Sequence, residues 1–306
     1  MIDYMDASEP CAMRQSDMDF VIERLATAEE FLRRTESFQH LHPMETNIIG
    51  SIATSVANGS KTYSETFWWV ISQGSDVVGI AMRTAPYRLV LSPMPREAIH
   101  KLSLAVLDTD PGFWGVSGPE ECATEFVKCW CEKTGRKSSE FPQHMRETIY
   151  VLGDHTRLSK VSGDARKAAS DDVDLLRKWL TAFAEEVGIL FTQPTEAELL
   201  ARLASTPMFI WEADGRPVAM SGHAPLVSGP TGHIGRIGPV FTEPSERGHG
   251  YGAAVTSAVI DHLHSIGCST VMLYADSDYE KSNRVYQGLG FRPVGAIVEL
   301  GVATSS

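Results

Sequence analysis

Positive charge is scarce in this chain: 27 lysines and arginines stand against 39 aspartates and glutamates, a formal net charge of −12. Nucleic acid is excluded as a general partner on that count, because phosphate backbones are held by clustered Lys and Arg. Cysteine is scarce as well, five in 306 residues. Cys129 and Cys131 lack zinc-finger spacing and the set does not suggest a secreted disulfide framework, so buried free thiols in a reducing cytoplasm, with no bound metal, are the expectation. No apolar run approaches the ~20 residues of a membrane span. Met1 to Phe20 is polar and acidic, without the apolar segment of a secretory signal. A cytoplasmic protein with no membrane partner is what these absences leave; they say nothing of oligomeric state.

What is present is a glycine-spaced turn. Val240-Phe241-Thr242 reads as an apolar strand ending, followed by a polar bend and then Arg247-Gly248-His249-Gly250-Tyr251-Gly252. Tyr251, Val255, Ala258, Val259, His262, Leu263 and Ile266 then recur at three- and four-residue steps, the period of an amphipathic helix. The first N–H groups of a helix have no internal partner and lie at the positive end of its dipole, and glycines have no Cβ to keep a phosphate away. The ligand is expected to carry phosphates.

Two phosphate ligands compete for these residues. Gly248, Gly250 and Ala253 satisfy G-x-G-x-x-G/A, and Asp276 follows about 20 residues later at the end of an apolar strand, as a dinucleotide site requires. That fold, however, begins with such a strand and needs several strand–helix units after it, and only a short tail remains here. The other reading takes Arg247-x-x-Gly250-x-Gly252 as the unit. A second motif lies downstream, Ser282-Asn283-Arg284-Val285-Tyr286-Gln287-Gly288-Leu289-Gly290-Phe291. Together, in this order and spacing, the two resemble the GNAT-type N-acetyltransferase superfamily, most clearly from Arg236 to Val298.

The resemblance implies acetyl-coenzyme A as co-substrate, its pyrophosphate on the backbone amides of Arg247 to Gly252 and its pantetheine arm along Val240, Phe241 and Thr242. Gly238-Pro239 agrees with this on physical grounds, since a proline inside a strand cannot donate to the ladder and marks an edge or bulge. The strand is expected to splay from its neighbour, Thr270 to Ala275, leaving backbone groups free for an amide-rich ligand. The family pattern also implies that Tyr286 lies beside the thioester sulfur as a proton donor, with Asn283 one turn earlier orienting the arm. No motif fixes the general base. His223 is the first candidate, ahead of His233, Asp276 and Asp278.

Length favours two domains, expected over residues 1–157 and 158–306. Phe67 to Met82 and Met208 to Met220 both read as hairpins, each soon followed by Ala-Pro, which suggests an internal repeat. Gly115 to Pro119 and the helix after it are expected to stand where the second half has its glycine turn, with Glu120 and Glu121 replacing the arginine and glycines. The expected fold is therefore mixed α/β, two tandem GNAT-like domains, each a twisted mixed sheet flanked by helices, the first degenerate. The expected activity is direct acetyl transfer from acetyl-coenzyme A to a primary amine, small or peptidic. The alternative is a non-catalytic acyl-coenzyme A sensor of the same fold.

Overall fold

Both hairpins form where the alternation of apolar residues places them. The computed structural model describes residues 19–110, 112–156 and 161–302. In chain order, the first half contains β1 (Phe20–Leu25), α1 (Ala28–Leu41), α2 (Asn47–Ala57), the hairpin β2 (Thr66–Gln73) and β3 (Asp76–Thr84), β4 (Leu89–Leu91), α3 (Arg96–Thr109), β5 (Gly115–Gly118), α4 (Glu120–Thr134) and β6 (Gln143–Leu152). The second contains β7 (Asp164–Lys167), α5 (Val173–Val187), α6 (Glu196–Ser205), the hairpin β8 (Met208–Ala213) and β9 (Arg216–His223), β10 (Val227–Gly229), β11 (Gly232–Thr242), α7 (Tyr251–Ser265), β12 (Cys268–Asp276), α8 (Glu280–Gly288) and β13 (Phe291–Gly301).

All these strands join one sheet, and each half ends in a strand that leaves it. β6 pairs antiparallel with β12 of the second half, from Val151 opposite Met272 to Glu147 opposite Asp276. β13 pairs with β5 of the first half, and β6 and β13 pair with each other between them. Outward from that central pair the order is β5, β4, β3, β2, β1 on one side and β12, β11, β9, β8, β7 on the other, with β10 attached to β11. The two parallel pairs, β4 with β5 and β11 with β12, occupy equivalent places. The halves are thus copies of one mixed α/β topology with exchanged last strands.

This equivalence corrects the expected alignment of the repeat. The counterpart of the glycine turn and α7 is the link from β4 to α3, not Gly115 to Pro119 and α4, which instead match β12 and α8. The link reads Ser92-Pro93-Met94-Pro95, and two prolines remove two of the amides that an anion would need. Ile266 likewise falls outside the apolar stripe, exposed at the C-cap of α7.

Side chains alternate across the central strands and set two different faces. On one, Met44, just before α2, and Ile48, in its first turn, pack on Ile149, Ile234, Met272 and Ile297. On the other, Val255, Val259, Ile260 and Leu263 of α7 pack on Tyr150, Ile237, Val271 and Leu273. α5 and α6 close the first face further along, through Leu176, Trp179, Leu180 and Leu199 on Met208, Met220 and Phe241. The described cysteines, Cys122, Cys129, Cys131 and Cys268, are buried free thiols, and Cys11 lies outside the described residues. Among the described residues no helix is long and apolar enough to cross a membrane.

Candidate active site

β11 follows β12 only as far as Ile237 opposite Leu273. There its register to β9 also shifts, between Ile237 and Val240, and beyond the shift it stays with β9, Val240 opposite Ser221 and Thr242 opposite Ala219. β12 meanwhile continues beside β6 to Asp276. Gly238-Pro239 supplies the cause: Pro239 has no N–H for a ladder, and Gly238 sits at φ 150°, where a side chain is strained. The splay opens a slot that leads into a cavity of about 950 Å³.

The glycine turn forms one end of this cavity, where Arg247, Gly248, Gly250, Tyr251 and Gly252 line it together with Val240, Phe241 and Thr242. Gly248 at φ 88° and Gly250 at φ 83° hold left-handed conformations, so α7 starts with its amides turned inward. The N–H groups of Gly250, Gly252 and Ala253 have no partner among the described residues. A Cβ at Gly252 would stand 3.1 Å from Thr242 Oγ1. Arg247 does not face the turn alone: its Nε donates to the Thr242 carbonyl at 3.1 Å and its Nη2 pairs with Glu186 at 2.6 Å, tying the turn to α5. His249 stacks on Tyr251 at 5.5 Å and is not among the lining residues.

Tyr286 reaches the slot from α8, on the α7 side of the sheet. Its ring packs near Tyr150 and Phe291 at 6.5 and 6.2 Å, and its hydroxyl has no hydrogen bond to a described residue. Burial pushes the phenol up to about 12, so it stays protonated and able to donate. Asn283 does not line the cavity. Its Nδ2 donates to the carbonyls of Asp276, at 2.9 Å, and Tyr279, at 3.2 Å, and so clamps the turn that aims α8. His223 lines the cavity at the end of β9, its Nδ1 donating to the Ala224 carbonyl at 2.8 Å and its Nε2 buried without a partner. Burial lowers the pKa of this imidazole against the upward pull of its Ala224 hydrogen bond, with weaker downward contributions from His262 and Arg202.

A titratable residue that the sequence reading passed over faces the same cavity from the opposite side. Glu147 on β6 shares a strand face with Ile149, so it lies on the α2 side, across the sheet from Tyr286. It is half-buried and lines the cavity. Desolvation, then Glu299 on β13, push it up to about 7 against the pull of Arg236, with Asp276 adding a smaller upward push. A signal existed in the sequence: Met145, Glu147, Ile149 and Val151 alternate as one apolar strand face broken by a single carboxylate. Arg236 anchors the neighbouring wall through Asn47 Oδ1 and Ser51 Oγ, both at 2.9 Å, and lies 5.7 Å from the centre of the Tyr274 ring. Elsewhere, His100, Glu125 and Cys129 bring possible metal-ligand atoms within 4.8 Å of one another, yet Arg96 already pairs with Glu125 at 3.0 Å and burial pushes the Cys129 thiol up to about 11. That trio reads as an ion-pair network.

Parallel β11 and β12 splayed at a bulge, with a glycine turn at the head of the following helix, is also where known proteins agree with the chain. The family model for "Acetyltransferase (GNAT) family" matches residues 173–291. The chain carries a GNAT acetyltransferase domain. Dinucleotide binding is set aside by the same geometry, because this turn follows a late strand of a largely antiparallel sheet. The chain is similar to the mycothiol acetyltransferase of Thermobispora bispora, 44% identical over 63 residues, 21% of either chain. A second mycothiol acetyltransferase, from Renibacterium salmoninarum, is 44% identical over 64 residues, 20% of this chain and 19% of that one. The matched stretch thus spans only about a fifth of these relatives. A solved tandem GNAT protein from the clavulanic acid biosynthesis pathway shares the fold over 94% of this chain and 100% of its own, at 12% identity and a TM-score of 0.56.

Proposed function

We propose that the chain is an acetyl-coenzyme A-dependent N-acetyltransferase that passes the acetyl group directly to an amine, with one active site, in the GNAT half. The observation that carries this reading is that one cavity is lined by the turn residues Gly250, Gly252 and Ala253, whose amides have no partner among the described residues, by Tyr286 on one face of the sheet and by Glu147 on the other. Gly250, Gly252 and Ala253 would hold the pyrophosphate, and the free edge of Val240 to Thr242 would hold the pantetheine arm. Bound acetyl-coenzyme A supplies a thioester whose carbonyl carbon bonds to the amine nitrogen as the carbon–sulfur bond breaks.

Glu147 takes the proton that the amine nitrogen loses, directly or through one water. Tyr286 gives a proton to the departing sulfur, and exchange with solvent resets both groups. The assignment of the base goes to Glu147 rather than His223 for a reason of strength: a carboxylate raised to about 7 accepts protons better than an imidazole lowered by burial. Glu147 belongs to the first half, so that half contributes to the chemistry as well as to the wall. Its own β4–α3 link, with Pro93 and Pro95, is unsuited to a second coenzyme A.

Thiol release from acetyl-coenzyme A, followed over a panel of amines, tests the reading. Acceptor-dependent release is expected. Tight binding of coenzyme A with no release above the water rate for any amine would point to a sensor instead.

A further inference from the structure

The cavity that Glu147 lines is also lined from α6, by Leu199 and Arg202. The Arg202 guanidinium has no hydrogen bond and no ion pair among the described residues, although the residue is half-buried in the cavity wall and desolvation pulls its pKa down. The charge that acts on it most is that of another cation, Arg236, whose own side-chain hydrogen-bond partners, Asn47 and Ser51, are neutral. A partly desolvated cation with no counter-ion is costly, and in a chain with 12 more acidic than basic residues it is not for want of carboxylates. The nearby acids are committed elsewhere: Glu186 to Arg247 at 2.6 Å, and Glu198 to the Thr195 amide at 2.8 Å. Glu147 lies nearer Arg236 and contributes nothing resolvable to Arg202.

The phosphates of coenzyme A are not the missing partner. Arg236, beside Arg202, is six residues along β11 from Thr242, roughly 15–20 Å at strand rise with a bulge between. The pyrophosphate turn begins only past Thr242, and the pantetheine arm occupies the interval.

We propose that Arg202 is the recognition residue for an oxyanion on the acceptor, so that the substrate is an amine carrying a carboxylate or phosphate. This rests on the acetyltransferase reading above. The planar fork of Arg202 takes two oxygens side by side, and Arg236, fixed by α2, adds a second positive charge from the neighbouring wall. The acceptor then spans from Arg202 to Glu147, its anion at one end and its amine at the other. His223 Nε2, buried and neutral, offers an acceptor for a hydroxyl or amide N–H along that span.

The test uses the full chain and four probes: β-alanine, β-alaninamide, O-phosphoethanolamine and ethanolamine. Coenzyme A affinity by calorimetry and thiol release over the wider amine panel are measured first, so that failure of the acetyltransferase reading is seen separately as absence of that binding or of any acceptor-dependent release. Thiol release is then compared within each pair. The anionic member is expected to have the higher kcat/KM by on the order of 10- to 100-fold. Which anionic probe wins identifies carboxylate or phosphate. Arg202→Met should erase the preference while leaving coenzyme A affinity unchanged, and Arg202→Lys, which keeps the charge, should retain part of it. Coenzyme A binding with equal response to both members of each pair, with no response to any probe, or with equal losses for anionic and neutral acceptors in Arg202→Met overturns the proposal.

Discussion

Tyr286 and Glu147 approach one slot from opposite faces of the sheet, and their different environments divide the proton work. The tyrosine, held protonated by burial, is a donor, and its replacement isolates that role. Tyr286→Phe should lower kcat by on the order of 100-fold with little change in the dissociation constant of coenzyme A; equal activity would return the ring to simple packing. Glu147→Gln should also lower kcat and abolish the rise of the rate with pH through about 7. Stability moves the other way. A carboxyl raised when folded binds more protons than when unfolded between its ordinary value and 7, so the folded state loses stability as pH rises through that window. Removing it should raise stability above pH 7 by about 3 kcal/mol, read from denaturant midpoints at pH 5 and 8. Tyr286 was legible because its motif is local. Glu147 showed only as the one carboxylate on an apolar strand face, because its partners Arg236, Asp276 and Glu299 come from strands that only folding brings beside it.

At the level of elements, the sequence exposed most where the backbone itself is constrained. Gly238-Pro239 marked the splay correctly, since a missing N–H ends a ladder whatever surrounds it. Thr195 and Glu198 form the capping box that starts α6, and Asp171 and Asp172 precede α5, so the helices flanking the acceptor end were readable too. The matching of repeats went wrong at Gly115 to Pro119 because β4 is only three residues long. A strand that short leaves almost no alternation to read, and the next strand–helix unit was taken in its place.

For the whole molecule, the exchange of β6 and β13 makes the halves interdependent. Residues 158–306 alone would lack β6, leaving the β12 edge unpaired and the cavity without Glu147, and would lack the α2 wall that holds Arg236. Calorimetry should therefore show one unfolding transition for the full chain, and the separate C-terminal piece should be aggregation-prone and inactive. Two independent transitions would contradict the coupling. None of this was visible in the sequence, which suggested two domains in succession and gave no sign that each completes the other. The central claim, that the turn opening α7 grips the pyrophosphate of coenzyme A, is tested most directly by titrating coenzyme A into the full chain and into Gly250→Val. A Cβ-branched residue cannot hold φ 83° and keep the turn amides aimed inward. The account predicts affinity weakened by on the order of 100-fold or more; the same dissociation constant in both proteins would contradict it.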